Sequence, residues 1–298
     1  MTQMHNSLAS AEACMNCPLK SRAICRAINA GAAAAGRQGA RVRKLPQDWV
    51  MRDAGEAPKL TGILRRGYLR TERILEDGRR CIVDLAVPSD VVGTLLDGTG
   101  NCTISAATDI EICAFDPKIL RSMMERDPDL RLEILRAAAQ QHARQLELVW
   151  RRGALNSRER IIAFVVMAAE IMPSEPMPDG SLVVSIPISR RDWADVTNTT
   201  VETICRTLGQ LAEADVLHSV SPARYRINDL AALSELAGLD PDLDKIAHCR
   251  GTSEGPYGMP SHALQTHTLH MSTASRMGSG VLSARSRLPG AGQGAARQ

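Results

Sequence analysis

ISRRDWADVTNTTVETICRTLGQL, residues 188–211, reads as two helices meeting at a tight turn. The spacing predicts a short helix over Arg190–Val196 and a longer one over Thr199–Glu213, split by Thr197 and Asn198. Asn tolerates positive φ better than most residues other than Gly, which suits Asn198 to a sharp turn. At about 100° per residue, Val201, Ile204, Leu208 and Leu211 fall on one side of the second helix. Thr199, Glu202, Arg206, Gln210 and Glu213 fall on the other, and Cys205 sits at the boundary nearest Val201. A short helix, a turn and a second helix form the helix-turn-helix arrangement, whose second helix enters the major groove of DNA. Arg can donate two hydrogen bonds to guanine, and Glu can accept one from cytosine. The plainer reading of Glu202 and Arg206 is a solvent-exposed i,i+4 pair, which stabilises a helix by only about 0.2–0.5 kcal/mol.

The flanks favour DNA. Downstream, VLHSVSPARYRI (216–227) predicts a hairpin turning at Ser221–Pro222–Ala223, which gives the motif a wing. Arg190, Arg191, Arg224 and Arg226 are then candidates for phosphate contacts. Upstream, SLVVSIPIS (181–189) reads as a strand and PSEPMPDG (173–180) as a loop. NSRERIIAFVVMAAEIM (156–172) reads as a helix capped by Asn156 or Ser157.

Further upstream the period changes. From Asp127 to about Arg152, Leu132, Leu135, Ala139, His142, Leu146 and Val149 recur at heptad spacing. A narrow apolar seam on one long helix between two domains predicts a contact between two copies of the chain, carried by Leu135, Ala139, His142, Leu146 and Val149. From Lys44 to Lys118 short β-type runs are cut by turn residues. LTGILRRGYLRTERI and RRCIVDLAV flank a hairpin signal at EDG, and DVVGTLL and TDIEICAFD follow. The fold class is α+β: a small β-roll, a long helix and a winged helix-turn-helix. The divisions fall at 1–36 (cysteine segment and linker), 37–126 (sensory roll), 127–154 (dimerisation helix) and 155–240 (DNA-binding domain). Residues 241–298 read as a disordered tail.

The bulk numbers exclude more than they assert. The 298 residues are 44% hydrophobic and 23% charged, a globular composition. No apolar run reaches the roughly 18–20 residues of a membrane span. The start lacks a secretory pattern, so the expected location is cytoplasmic. Net charge is +3, but residues 250–298 hold five arginines against one acid, so a nucleic-acid reading rests on placement and not on bulk charge. No nucleophile–base pair, phosphate loop or carboxylate dyad stands out, so enzyme classes rank lowest.

Eight cysteines are unusual in such a chain, and CMNCPLKSRAIC (14–25) holds three of them, Cys14, Cys17 and Cys25. In a reducing compartment clustered thiols are more often metal ligands or redox groups than disulfides. The spacing suits an iron–sulfur cluster, zinc or a thiol switch, and leaves the fourth ligand open.

Together these segments resemble the CRP/FNR regulators, and within them the FNR-type oxygen sensors, over roughly residues 14–240. GYLRTERILEDGRRCIVDLAVPSDVVG resembles the family's β-roll, NSRERIIAF the start of its DNA-binding domain, and VETICR its Val-Glu-Thr-Ile-Ser-Arg pattern. The family's serine is Cys205 here, and its Leu-Gly-Leu turn is Thr197-Asn198-Thr199. The resemblance implies a homodimer on double-stranded DNA with a TTGAT-N4-ATCAA-like palindrome. Glu202 and Arg206 would read the half-site, and turns around Glu76–Arg80 would meet RNA polymerase. It implies a [4Fe–4S] cluster on Cys14, Cys17, Cys25 and Cys113, with Cys102 the competitor for the last place. Lys20, Arg22 and Arg26 would offset the cluster's negative charge. Low oxygen would keep the cluster intact and the dimer active; a redox or zinc switch on the same thiols is the alternative. The family's cyclic-nucleotide cassette has a Glu and an Arg that GTLLDGTGNCTISAAT (93–108) lacks, so no cyclic nucleotide is expected.

Overall fold

The computed structural model describes residues 17–20, 22, 24–28, 41–93 and 99–239. Cys14, the linker at 31–36 and the tail at 241–298 lie outside the described residues.

Among the described residues the roll is made of eight strands: β1 (Arg41–Leu45), β2 (Val50–Arg52), β3 (Thr61–Arg66), β4 (Leu69–Ile74), β5 (Arg80–Ala86), β6 (Val91–Val92), β7 (Thr103–Ala106) and β8 (Ile110–Phe115). They form two four-stranded sheets, in the orders β1-β8-β3-β6 and β2-β7-β4-β5. LTGILRRGYLRTERI is not one strand. It breaks at Gly67, whose φ of 78° is the left-handed value a tight turn demands. Leu45, Met51, Leu64, Leu69, Ile110 and Ile112 fill the space inside the roll.

Strand periodicity sends alternate residues to opposite faces. On β8, Ile110 and Ile112 therefore point into the roll, while Cys113 and Phe115 join a second apolar cluster outside it. On β3, Leu64 and Ile63 divide in the same way. β3 and β8 approach closely here: a Cβ on Gly62 would lie 2.3 Å from the Cys113 carbonyl oxygen.

Two helices follow, α1 (Pro117–Arg126) and α2 (Pro128–Ala154). Asp127 separates them and caps α2, its side chain accepting from the Asp129 and Leu130 N–H groups, with Pro128 in the first turn. α3 (Ser157–Ile171) opens on a capping box: Asn156 accepts from the Glu159 N–H, and Glu159 accepts from the Asn156 N–H.

The segment read as a loop at 173–180 contains a short edge strand, β9 (Ser174–Pro176), paired with β10 (Leu182–Ser185). Then come α4 (Arg190–Thr197), α5 (Val201–Glu213), the wing strands β11 (Leu217–Ser221) and β12 (Arg224–Ile227), and α6 (Leu230–Leu236). The third sheet runs β11-β12-β10-β9. Its core reaches onto the roll: Ile82, Leu85 and Val87, which are not part of the cluster inside the roll, belong to one buried cluster with Leu148, Phe164, Trp193 and Tyr225. Among the described residues no helix is long and apolar enough to cross a membrane.

Candidate nucleic-acid interface and thiol cluster

The turn in the motif is made as its residues require. Asn198 is left-handed, φ 50° and ψ 52°, and ends α4. α5 starts later than periodicity alone predicts, because Thr200 caps it by accepting from the Thr203 N–H. This moves two assigned residues. Thr199 lies in the turn and not on the polar helix face; its hydroxyl meets that of Thr197 at 2.8 Å. Val201, placed on the core face by the wheel, is 40% exposed at the first turn, and Thr207 is buried with Ile204 and Leu211 instead.

Glu202, Cys205 and Arg206 are exposed together on α5. Among the described residues no ion pair joins Glu202 to Arg206, so neither side chain is occupied by the other. Both remain open to base edges.

The arginines divide. Arg191 is exposed. Arg190, assigned to phosphate, packs instead over the rings of Trp193 and Tyr225, at 4.8 and 5.1 Å, and donates to the Tyr225 hydroxyl. The wing arginines are held by acids that sequence reasoning passed over. Arg224 donates to Glu175 at 3.0 Å, and Arg226 pairs with Asp179 and donates to Ser181 Oγ at 3.0 Å. These acids lie in PSEPMPDG, and the register β9–β10–β12 brings them beside the wing. The signal was acids in a loop next to basic strands, legible only once that pairing is known.

Along α2 the heptad positions Leu132, Leu135, Ala139, His142, Leu146 and Val149 are all exposed, with Leu135 at 65%, Leu146 at 56% and Val149 at 65%, as are Trp150 and the polar Arg131, Arg136 and Gln140. Leu130, Ile134 and Leu148 face inward. One helix thus packs on its own chain by one stripe and presents a second, apolar stripe outward.

Among the thiols, Cys17 is buried, and Cys25 and Cys113 are half-buried. All three belong to the outer cluster, with Leu19, Ile24, Ile28, Ile63, Leu120, Leu130 and Ile134. Cys102 lies elsewhere, in the loop before β7, where its carbonyl accepts from Arg52 Nε at 3.2 Å. Among the described residues no group of three or more His, Cys, Asp or Glu is arranged to hold a metal ion, and Cys14 stands outside them. Cys17, Cys25 and Cys113 are soft donors at one apolar surface, a chemistry that fits a soft metal.

A β-roll passing through a long helix into a winged helix-turn-helix with an open reading face defines a DNA-binding regulator. Comparison with known proteins agrees. A cyclic nucleotide-binding domain matches residues 42–127, and a Crp-like helix-turn-helix domain matches residues 159–236. The transcriptional activator protein FnrL of Cereibacter sphaeroides is 26% identical over 231 residues, 77% of this chain and 93% of that one. The nitrogen fixation regulation protein FixK of Bradyrhizobium diazoefficiens is 27% identical over 199 residues, 66% and 83% of the two chains. The structure of FixK2 from Bradyrhizobium japonicum superposes with a TM-score of 0.60 at 20% identity, covering 66% and 96%, and so shares the fold. The chain belongs to the CRP/FNR family of transcription regulators and is not an enzyme.

Proposed function

We propose that this chain is an oxygen-responsive regulator of the FNR type. It would act as a homodimer and read a TTGAT-N4-ATCAA-like palindrome through Glu202 and Arg206. Its [4Fe–4S] cluster would be held by Cys14, Cys17, Cys25 and Cys113. The observation that carries the reading is the outer apolar cluster, which joins three of those thiols to the first turns of α2. Bound there, the cluster would supply an oxygen-labile link between the N-terminal segment and the roll.

The chain's own residues do the rest. Leu19, Ile24 and Ile28 pack in one cluster with Leu120, Met123, Leu130 and Ile134, so the seating of the N-terminal segment bears directly on the start of α2. The outward stripe of α2 gives the contact between copies. Burying about three large side chains per copy is worth several kcal/mol, enough to set the monomer–dimer balance. Two recognition helices then meet half-sites about one DNA turn apart. The exposed tip of the β4–β5 hairpin, with Ile74 and Leu75 beside Glu76, Asp77 and Arg79, suits a contact with RNA polymerase, whereas Arg80 is turned inward onto Glu72, Asp192 and Asp195. Cyclic nucleotide has no part in this reading, because residues 93–108 lack the family's Glu and Arg.

The test is anaerobic purification, with iron and acid-labile sulfide assayed beside sedimentation and operator binding, before and after air. Wild type is expected to bleach, dissociate and release operator together; Cys113→Ser is expected to lose iron and dimer without air. Zinc in place of iron, or Cys113→Ser retaining both iron and dimer, would falsify the cluster assignment.

A further inference from the structure

α4, the first helix of the DNA-binding motif, is gripped by arginines from outside its own domain. Near its start Asp192, 1% exposed, accepts from Arg80 Nη2 at 2.7 Å and from Arg70 Nη1 at 3.1 Å. One turn later Asp195 accepts from Arg80 Nε at 2.6 Å. Arg70 lies on β4 and Arg80 starts β5, so both contacts cross from the roll. Both arginines are aimed from behind. Buried Glu72 accepts from Arg80 Nη1 at 3.1 Å and from Ser105 Oγ at 2.8 Å, and Asp48 accepts from Arg70 Nη2 at 2.6 Å. At the far end of α4 the Val196 carbonyl accepts from Arg152 Nη2 at 2.7 Å; Arg152, in the last turn of α2, also donates to the Ile82 carbonyl on β5.

An apolar contact tolerates sliding and rotation, whereas a planar fork shared among fixed carboxylates does not. Arg80 serves three at once, Glu72, Asp192 and Asp195. With α4 held, the exposed face of α5 stays open, so the grip is compatible with reading DNA.

We propose that Arg80, backed by Glu72 and Arg70, is a positioning residue for DNA recognition. It fixes the angle of the recognition helix to the roll, and thereby the separation of the two recognition helices in the dimer. Arg80 thus makes the protein selective for the spacing between half-sites. The inference rests on the reading of the chain as a dimeric DNA binder.

The experiment uses the full chain under nitrogen. Affinities are measured for the palindrome with its 4-bp spacer, for spacers one and two base pairs shorter or longer, and for a duplex with a single half-site. Wild type is expected to prefer the palindrome to the single half-site by about 10-fold or more. Equal affinity for the two overturns the dimeric reading, and the proposal with it. Arg80→Gln is expected to bind the 4-bp palindrome about 10- to 100-fold more weakly, to bind the single half-site within about 2-fold of wild type, and to lose most spacer preference. Arg80→Lys, which keeps the charge but not the fork, is expected to fall between. Asp195→Asn leaves Asp192 and Glu72 on the fork, and is expected to flatten the spacing profile more mildly even where Arg80→Gln does not fold. An unchanged spacing profile in the folded variants overturns the proposal. So does tighter binding at every spacing, which would make the grip an inhibitory latch.

Discussion

Asp90 is buried beside Arg144 of the long helix, accepting from its guanidinium and from the Val87 N–H. Burial pushes its pKa up from 3.8 to about 6, with nearby Asp84 adding to the rise against the pull of Arg144 and the Val87 amide. Burial also raises Asp84, against Gln145 and Arg144. The folded value of Asp90 lies above the unfolded one, so the folded state holds the proton more tightly. Its contribution to stability is therefore fully present below about pH 4, declines as pH rises toward 6 and is gone above that. This runs opposite to an ordinary salt-bridged carboxylate. In urea titrations the stability of wild type relative to Asp90→Asn is expected to fall by up to about 3 kcal/mol between pH 4 and pH 7. A pH-independent difference would show that Asp90 is not carrying the proton.

At the scale of elements, the outward stripe on α2 was legible because heptad spacing survives whatever the helix packs against. The apolar repeat placed the start of α2 near Asp127, and Asn156 or Ser157 was the cap expected for α3; the structure selects Asn156, completed by Glu159. The recognition helix was legible by its period but not at its first turn, since capping by Thr200 lies outside any wheel; Thr199 and Val201 were displaced for that reason. The grip on α4 was not legible at all. Arg70 and Asp192 are 122 residues apart, and each reads locally as a solvated charge. Likewise Arg190 read as a phosphate contact because nothing local places Tyr225 beside it. Sequence periodicity reports which face of an element is apolar; it is silent about which distant charge arrives on it. The stripe itself gives a prediction. Each substitution along a twofold seam is made twice. Leu135→Ala with Leu146→Ala is therefore expected to weaken self-association by on the order of 100-fold or more. Sedimentation equilibrium measures this, with circular dichroism expected unchanged because both side chains are exposed in the single chain.

Across the whole molecule, one continuous core runs from Ile82 and Leu85 of the roll through Leu148 of the long helix to Trp193 and Tyr225 of the winged domain. A second cluster ties the N-terminal thiols to the other end of the same helix. α2 is thus held near its first turns by one cluster and near its last by the other, while the outward stripe runs along the same span from Leu132 to Val149. In the FNR-type reading proposed above, a change at the thiols would reach the DNA face through this one helix.

Because the outward stripe and the reading face occupy different helices, the two kinds of lesion have opposite inheritance. A copy with Arg206→Ala keeps its stripe, captures intact partners and poisons them, so in a cell carrying both alleles the defect is expected to be dominant. A copy with Leu135→Glu finds no partner to spoil, and its defect is expected to be recessive. A reporter strain expressing both copies reads the difference directly.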